Sequence, residues 1–476
     1  MRYLLLTVTA IALTTSALAQ SDPWHDKARA ILEHSVNIPT VIGRGKVPEL
    51  ANYFADQFRE AGWPTDDIHV MPYDTGGSNS DLLDQRDHTA ALIVRWRASG
   101  HPKLKPIMVL GHMDVVEAKR DDWKTSDPFS FTEKDGYYYG RGTIDMKNGD
   151  VSMITAMLKL KAAGFTPKRD IVLFLTGDEE TNGLGAHLGA TKWHDMLDVE
   201  YGLNADAGDG GFRTDGSMIG FLLNSAEKTF ADYTLTVRNK GGHSSKPRAD
   251  NAIYQLAGAL KKIESYRFTP EFNETTRAYF SERQKSEKGP LGDAMRAWLK
   301  DPNDGAAADF IEADSGEVGL TRTRCVATML NGGHALNALP QLAQANVNCR
   351  IMPGIDPNMI KDLLTKIVDD PNVVVSRVDD YVASLSSPLR PDVVKAYSDA
   401  VHARWPGAPI IPEMSTGASD ARDFRVVGIP VYGTNGAYVV VPDDLRAHGR
   451  DERLPVAALD DDVHHWEFMI KALAGR

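Results

Sequence analysis

The chain has 476 residues, of which 42% are hydrophobic and 25% are charged. This composition is ordinary for a globular protein and excludes a mainly disordered, collagen-like or coiled-coil chain. Acidic residues outnumber basic ones by 65 to 53, so the net charge is −12. An acidic chain repels a phosphate backbone, which argues against nucleic acid as the main partner. At roughly 150 residues per domain, the length predicts two or three domains.

The N terminus has the pattern of a secretory signal peptide. Arg2 precedes an apolar run, and the run leads to the small residues of an Ala-Leu-Ala cleavage site at 17–19. We expect cleavage after Ala19 and export to the periplasm or the medium. The alternative is a membrane anchor, but the apolar run is short for a bilayer span and ends in polar residues at 14–16. We therefore expect no membrane attachment after cleavage.

Short strand-like runs alternate with helical patterns in the first part of the chain. Apolar residues recur at spacings of three and four between Val47 and Ala61, which predicts an amphipathic helix. A helical pattern at 151–163 separates apolar runs that predict buried strands at 90–96, 107–110, 171–175 and 201–204. Strands that alternate with helices predict an α/β domain with parallel strand pairs.

The pattern changes near Asn224 to the order β-α-β-β-α-β, which is typical of a ferredoxin-like arrangement. A polar segment at about 266–318 interrupts this order and is predicted to be a helical insertion. After Ser386 the α/β pattern returns, with a helix at 391–404 and strands near Ile410 and Val431. We therefore predict a catalytic α/β domain built from residues 20–223 and 387–476, with a smaller α+β domain, residues 224–386, inserted in it.

The chain has two cysteines, Cys325 and Cys349, and each lies in a strand-like run of the predicted inserted domain. Two cysteines are too few for a Cys-rich structural zinc site. Adjacent antiparallel strands would allow them to form a disulfide in an oxidising compartment. Two buried free thiols are the alternative.

Imidazole and carboxylate side chains follow the predicted strands of the catalytic domain. Six of them stand directly after four strand-like runs: His112, Asp114, Asp145, Glu179, Glu180 and Asp206. In an open α/β sheet the carboxyl ends of the strands form the crevice in which ligands bind. We therefore expect these residues to meet at one edge of the sheet, although they are far apart in the sequence.

Imidazole and carboxylate ligands without thiolate suit Zn²⁺, Mn²⁺ or Co²⁺. Crowded carboxylates repel each other, and divalent cations relieve that repulsion. His448 supplies a further nitrogen. Asp114 follows His112 by two residues and would share its strand face, where a carboxylate can accept the spare N–H of a ligating imidazole. Each signal alone is weak, because such residues are usually surface pairs or turn residues, so the metal prediction depends on the whole set.

Seven stretches of the sequence resemble the M20 family of metallopeptidases, which includes glutamate carboxypeptidase, carboxypeptidase S, aminoacylase, peptidase V and succinyl-diaminopimelate desuccinylase. They are VLGHMDVV, YGRGTIDMKNG, FLTGDEETNG, LNADAGDGG, GGHSSKPRADNAI, NALPQLAQANVNCRIMPG and HGRDERLPV, and they follow the family order over nearly the whole mature chain. The resemblance implies an α/β fold with a zinc-peptidase-like catalytic domain and an inserted ferredoxin-like lid. It also implies a homodimer formed through the lid.

The resemblance implies a ligand set for two zinc ions per subunit. Asp145 is similar to the carboxylate that bridges the two ions. His112 and Asp206 resemble the other ligands of one ion, and Glu180 and His448 resemble those of the second. Co²⁺ or Mn²⁺ also suits these ligand types.

The same resemblance implies the remaining site residues. Glu179 resembles the general base, and Asp114 resembles the residue that orients the ligating imidazole. In the lid, His243 resembles the histidine that reaches a substrate oxyanion, commonly across the dimer. Asn337 and Arg350 resemble residues that bind the substrate, in particular its carboxylate. The alternatives are a capping role for His243 and a salt bridge within the lid for Arg350.

The resemblance implies a di-zinc exopeptidase, of carboxypeptidase or dipeptidase type, with Glu179 as general base. The signal-peptide pattern predicts that this enzyme is exported. One alternative is an amidohydrolase that removes the acyl group from an N-acyl amino acid. Another is a periplasmic ligand-binding protein that has lost catalysis. The segment 415–420 resembles a substrate loop of the family, or is a plain helix N-cap. The expected partners are a small peptide or N-acyl amino acid and a second copy of the chain.

Overall fold

A computed structural model describes residues 22–76, 87–181, 183–378 and 382–475. The predicted signal peptide, residues 1–19, lies outside the described residues. The helices are α1 (Pro23–Asn37), α2 (Val47–Glu60), α3 (Lys147–Ala162), α4 (Leu184–Ala190), α5 (Ala252–Ser265), α6 (Glu274–Ser286), α7 (Gly289–Lys300), α8 (Gly305–Glu312), α9 (Pro357–Val368), α10 (Pro391–Arg404), α11 (Ala421–Val426) and α12 (Val456–Ala474).

The strands through residue 243 are β1 (Ile68–Asp74), β2 (His88–Trp96), β3 (Ile107–His112), β4 (Thr132–Lys134), β5 (Tyr137–Tyr139), β6 (Ile171–Thr176), β7 (Tyr201–Asn204), β8 (Gly210–Arg213), β9 (Met218–Glu227), β10 (Thr229–Arg238) and β11 (Gly242–His243). The later strands are β12 (Arg324–Gly332), β13 (Ala338–Leu339), β14 (Leu342–Ile351), β15 (Val373–Arg377), β16 (Ile410–Ser415), β17 (Val431–Gly433), β18 (Tyr438–Val441) and β19 (Arg453–Pro455).

A mixed sheet of ten strands positions the candidate site. Its order is β1-β2-β6-β3-β7-β17-β9-β8-β18, and β16 also pairs with β9. β3 is parallel to both β6 and β7, so the carboxyl ends of these three strands meet at the same edge. Every residue of β3 and β6 is buried, as expected for central strands covered on both faces.

Helices cover both faces of this sheet. One face packs against α1, α2, α3, α10 and α12, in a core that contains Phe54, Phe58 and Trp466. The other face packs against α4 and α11, around Phe174 and Phe424. The predicted amphipathic helix is therefore confirmed as α2. The α/β fold class is confirmed as well.

A second sheet, of four antiparallel strands, has the order β12-β14-β10-β15. With α5 and α9 the chain order is β10-α5-β12-β14-α9-β15, which is the predicted β-α-β-β-α-β arrangement. Alternate residues of β10 and β14 are buried, and they form a separate core with α5 and α9. The boundaries of the inserted domain, 224 and 386, stay a prediction.

Three helices, α6 to α8, stand where a helical insertion was predicted. Their core contains Phe280 and Trp298 and includes Met414 of β16 and Met352, which follows β14. The insertion therefore packs against both sheets.

Cys325 of β12 and Cys349 of β14 are direct partners in the strand register and are joined by a disulfide. The alternative of two free thiols does not hold. Of the helices in the described residues, none combines the length and the apolar character that a membrane crossing requires.

Candidate metal centre

Asp145 lies between two histidines. Its Oδ1 is 3.4 Å from Nε2 of His112, and its Oδ2 is 3.0 Å from Nε2 of His448. The two oxygens of one carboxylate thus face two different imidazoles. This is the geometry expected of a carboxylate that bridges two cations.

Two further carboxylates complete the cluster. Oδ1 of Asp206 is 3.5 Å from Nε2 of His112, and Oε2 of Glu180 is 2.9 Å from Nε2 of His448. One half of the cluster therefore consists of the His112 imidazole with the carboxylates of Asp145 and Asp206. The other half consists of the His448 imidazole with the carboxylates of Asp145 and Glu180. Within the described residues, ligand atoms also lie within 4.8 Å of one another in the triads His112-Asp145-Glu180 and His112-Glu179-Asp206.

The fold explains why these residues meet. β3 ends at His112, Glu179 and Glu180 follow β6, and Asp206 follows β7. These three strands are neighbours in the sheet, and their carboxyl ends lie together. Asp145 stands just before α3, and His448 lies in the loop between β18 and β19.

The environment of His112 fits a bound cation. Its Nδ1 lies 3.1 Å from the backbone oxygen of Asp114, which can only accept, so this nitrogen carries the proton. The other nitrogen, Nε2, then presents a lone pair. It is buried and has no hydrogen-bond partner, although carboxylate oxygens surround it. A lone pair that faces acceptors is unfavourable unless a cation lies between them.

The donor set also fits Zn²⁺, Co²⁺ or Mn²⁺, because it consists of imidazole and carboxylate groups. Both cysteines of the chain are in the disulfide between β12 and β14, so no thiolate competes. Zinc, with three protein ligands for each ion, is therefore compatible with the residues that meet here.

The electrostatics of the cluster also favour cations. Burial raises the pKa of Asp206 to about 6 and raises that of Glu180 above its ordinary value. Burial would raise the pKa of Asp145 too, but the neighbouring imidazoles of His112 and His448 outweigh burial and lower that pKa. A buried acidic cluster is costly unless positive charge balances it.

Glu179 lies at the edge of the cluster. Its Oε2 is 3.9 Å from Nε2 of His112. Burial raises the pKa of the Glu179 carboxyl well above its ordinary value; His112 opposes this rise, and the carboxylates of Asp206 and Asp420 add to it. A carboxylate with a raised pKa can accept a proton and hold it, which a general base must do.

Asp114 does not share a strand face with His112, contrary to the prediction from the spacing of the two residues. β3 ends at His112, so Asp114 lies beyond the strand and the two residues do not share a strand face. The carboxylate is 3.6 Å from Nδ1 of His112, and the Asp114 backbone oxygen is nearer. The carboxylate instead accepts the backbone N–H groups of Glu179 at 3.1 Å and Glu180 at 3.0 Å. Asp114 therefore fixes the segment that carries these two residues.

Glu452 is a supporting residue that the sequence reasoning missed. Its Oε1 accepts the backbone N–H groups of Gly142, Ile144 and Asp145 at 3.0, 2.8 and 3.2 Å. Its Oε2 lies 2.5 Å from Nη1 of Arg141. Glu452 thus fixes the loop that carries Asp145. The signal was its position four residues after His448, in the same stretch, HGRDERLPV, that resembles the family.

Two of the predicted lid residues lie apart from this cluster. His243 is exposed on β11, and its Nδ1 accepts the backbone N–H of Ser245 at 3.1 Å, as in the capping alternative. Asn337 is also exposed, and its backbone oxygen accepts the N–H of Ser244 at 3.0 Å. Neither is among the described residues that line the cavity beside the metal candidates.

Arg350 reaches the predicted substrate loop. Its Nη1 donates to the backbone oxygen of Thr416 at 3.4 Å, and its guanidinium lies 4.7 Å from the centre of the Phe230 ring. Burial lowers the pKa of Arg350, although the guanidinium stays charged at neutral pH. Arg350 thus donates its hydrogen bond to the loop at 415–420, while the charge of Asp232 on β10 raises its pKa against the effect of burial.

A cavity of about 160 Å³ opens beside the metal candidates. Apart from those candidates and Glu179, the described residues that line it are Ala207, Asn224, Glu227, Ser415, Ala418 and Ser419. The segment 415–420 therefore forms one wall of the cavity, as its resemblance to a substrate loop implied. Asp420 also occupies the N-cap position of α11, but its carboxyl accepts the Thr176 hydroxyl and makes no cap hydrogen bond.

Comparison with known proteins shows the family of the chain. The chain is 30% identical over 377 residues to the N-fatty-acyl-amino acid synthase/hydrolase PM20D1 of Homo sapiens, covering 76% of this chain and 73% of that protein. It is 26% identical over 393 residues to the probable carboxypeptidase S-like 2 of Dictyostelium discoideum, covering 80% and 74%.

Among solved structures, the M20 family metallo-carboxypeptidase of Sulfolobus solfataricus matches 94% of this chain and 99% of its own, with a TM-score of 0.67 and 18% identity. At 18% identity this likeness is evidence for a shared fold and not for a shared substrate. Residues 108–472 also match the family model of peptidase family M20/M25/M40. The chain therefore belongs to peptidase family M20/M25/M40, a family of metal-dependent peptidases and amidohydrolases.

Proposed function

We propose that the protein is a di-zinc hydrolase that cleaves the amide bond of a small peptide with a free C-terminal carboxylate, as a carboxypeptidase or dipeptidase does. The observation that carries this proposal is the position of Asp145, whose two oxygens face His112 and His448 at 3.4 and 3.0 Å. Asp206 and Glu180 complete a ligand set on either side. Family membership supports the hydrolase class.

Two zinc ions at such a site would supply Lewis-acid activation of the scissile carbonyl and of a water molecule. The protein supplies the proton transfer. Glu179 takes a proton from the attacking water and returns it to the leaving amine. Asp114 accepts the backbone N–H of Glu179 and so fixes the position of this residue beside the metal candidates.

We assign substrate binding to the lid residues on the basis of resemblance and position. Arg350 contacts the loop that forms a wall of the cavity, where it can meet the carboxylate of a substrate. Asn337 would assist there. His243 is exposed, so it is free to approach the substrate oxyanion in a dimer. A base such as Glu179 serves no purpose in a ligand-binding protein, which argues against the inactive alternative.

A second candidate substrate is an N-acyl amino acid. The relative with 30% identity is named for the synthesis and hydrolysis of N-fatty-acyl-amino acids. An N-acyl amino acid and a peptide share an amide bond next to a free carboxylate, so the same metal ligands and the same arginine serve both. The difference lies only in the acyl side of the bond.

We also propose export of the mature protein and its assembly as a homodimer. The signal-peptide pattern at 1–19 supports export, and the disulfide between Cys325 and Cys349 suits an oxidising compartment. β12 is an edge strand whose exposed residues include Val326, Met329 and Leu330. Arg324, at the start of β12, is paired with Glu312, and the exposed part of the strand from Val326 to Gly332 carries no charge. An uncharged, partly apolar edge of this kind can pair with another chain.

Metal analysis combined with a substrate panel tests the proposal. The purified mature protein should contain two zinc ions per chain, and it should hydrolyse dipeptides or N-acyl amino acids. Carboxyl-amidated versions of the same compounds are matched controls and should react about 100-fold more slowly, since the loss of a hydrogen bond to a charged group costs up to about 3 kcal/mol. Absence of bound metal, or equal rates with the amidated compounds, would contradict the proposal.

A further inference from the structure

The chain leaves the ten-stranded sheet for the four-stranded sheet at one place and returns at another. One buried arginine contacts both places. The first passage is at Glu227, the last residue of β9, because β10 begins at Thr229. The second is the segment after β15, where the Ser387 backbone N–H donates to the oxygen of Ser225 at 2.8 Å. The arginine is Arg425 of α11.

Arg425 contacts both passages. Its Nη1 lies 3.1 Å from Oε1 of Glu227, and the two side chains are only 1% and 2% exposed. Its Nε donates to Oγ of Ser387 at 3.2 Å, and its Nη2 donates to the backbone oxygen of Val431 at 2.8 Å. The same Nη2 is 3.2 Å from Oδ1 of Asn224, which lines the cavity. A guanidinium with this many buried contacts has a fixed position.

A chain of hydrogen bonds leads from Glu227 to a metal candidate. The hydroxyl of Ser419 donates to Oε2 of Glu227 at 2.9 Å. Nδ2 of Asn204 lies 3.5 Å from Oγ of Ser419 and donates to it. Oδ1 of Asn204 accepts the backbone N–H of Asp206 at 3.0 Å. Three hydrogen bonds therefore separate Glu227 from Asp206.

We propose that Glu227 is a positioning residue for the metal centre, acting through Ser419 and Asn204 on Asp206. The proposal rests on the proposed function, because Asp206 needs an accurate position only if it binds a metal. Hydrogen-bonded partners behind metal ligands orient those ligands, and their loss usually costs 10- to 100-fold in metal affinity or activity.

A substitution of Ser419 interrupts the hydrogen-bond chain between Glu227 and Asp206 without removing either member of the buried Glu227–Arg425 ion pair. In Ser419→Ala, the Glu227–Arg425 pair keeps its contact, but the hydroxyl between Glu227 and Asn204 is lost. We expect the affinity for one of the two zinc ions to fall about 10-fold or more, measured by competition with a chromophoric chelator. The second zinc ion should bind as in the wild type, and kcat/KM should fall with the weaker site.

Two variants serve as controls. Ser419→Thr keeps a hydroxyl and should restore the affinity of the weakened site. Ser281→Ala removes a hydroxyl that donates to the Arg277 backbone oxygen on α6, and it should leave both zinc affinities unchanged.

Glu227→Gln is a second test variant. It retains an acceptor for Ser419 but removes the charge that faces Arg425, so it should lower the affinity for the same zinc ion as Ser419→Ala does.

The outcomes separate this inference from the proposed function. If Ser419→Ala and Glu227→Gln both bind two zinc ions with wild-type affinity, the positioning role is wrong while the metal proposal stands. The role is also wrong if Ser419→Thr is as weak as Ser419→Ala, because the hydroxyl is then irrelevant. If the wild-type protein binds no zinc, the proposed function fails and this inference fails with it.

Discussion

Asp145 owes its position to contacts on both sides of its side chain. Its carboxylate lies between His112 and His448, while its backbone N–H donates to the buried Glu452. Glu452 is in turn paired with Arg141. Residues from two distant stretches of the chain, at 112 and at 448–452, thus fix a single carboxylate, which a site for two cations requires because both must share it.

Glu179 can be tested as the general base by a substitution that keeps its shape. In Glu179→Gln, the amide cannot take a proton from water, so we expect kcat to fall at least about 1,000-fold. The zinc content should stay at the wild-type value, since Asp145, His112 and Asp206 remain. Loss of zinc together with activity would show that Glu179 is a ligand, and near-normal turnover would contradict the base assignment.

His448 is the most exposed of the metal candidates, with 56% of its side chain accessible. It contacts Asp145 and Glu180 only through its Nε2. Since it supplies the one nitrogen for its half of the cluster, His448→Ala should reduce zinc from two ions to one per chain, as measured by elemental analysis. His464→Ala, which alters an exposed histidine of α12, is the matched control. An unchanged zinc content in His448→Ala would count against its role.

Asp462 provides a test of stability against pH. Burial raises the pKa of this carboxyl to about 7 in the folded chain, where its Oδ1 accepts the Gly436 N–H at 2.8 Å. Between about pH 4 and pH 7 the folded chain therefore holds a proton that the unfolded chain has released. The free energy of unfolding contributed by this group must then fall as the pH rises, by about 1.4 kcal/mol per pH unit.

Asp462→Asn cannot titrate and should lack this dependence. Denaturant unfolding of both proteins at about pH 5 and pH 7.5, with the same chelator present, measures the difference. We expect the wild type to lose stability relative to the variant as the pH rises. A difference that does not change with pH would show that Asp462 stays ionised in the folded chain.

Among the elements, the edge strand β12 is held by a covalent bond to its neighbour. The disulfide between Cys325 and Cys349 closes a segment with a sequence separation of 24. Loop-closure entropy for a loop of this length gives a stabilisation of about 3 kcal/mol. The free energy of unfolding of the Cys325→Ser/Cys349→Ser double variant should be lower by this amount, which lowers its denaturant midpoint. The wild type treated with reductant is the matched comparison and should unfold at the midpoint of the double variant. Equal midpoints for the oxidised wild type and the double variant would contradict the expectation.

Strong periodic patterns predicted their elements well. The helix at 391–404 has the bounds of α10, and the run at 201–204 has the bounds of β7. The sequence analysis did not identify α1, β9 or α12. The end of β3 was not predicted correctly. The strand ends at His112, so Asp114 lies outside it and the two-residue spacing does not place both side chains on one strand face.

At the scale of the whole molecule, the proposed dimer depends on β12. Leu330 is 72% exposed on this edge strand, while Val374 is 57% exposed on β15, the opposite edge of the same sheet. A buried lysine at a dimer interface is strongly unfavourable. Leu330→Lys should therefore convert the dimer to a monomer in analytical ultracentrifugation, while Val374→Lys should leave it dimeric. A wild-type monomer, or a Leu330→Lys dimer, would contradict the assembly.

The sequence by itself determined the fold class, the β-α-β-β-α-β order and the residue types that can bind metal. These follow from local patterns, because periodicity depends on neighbours along the chain and ligand chemistry depends on the side chain alone. The tertiary structure decided which residues meet. Only the parallel pairing of β3, β6 and β7 brings His112 to Asp206, and only folding places Asp145 between two imidazoles. Contacts between residues hundreds of positions apart depend on the packed sheet, which no local pattern records.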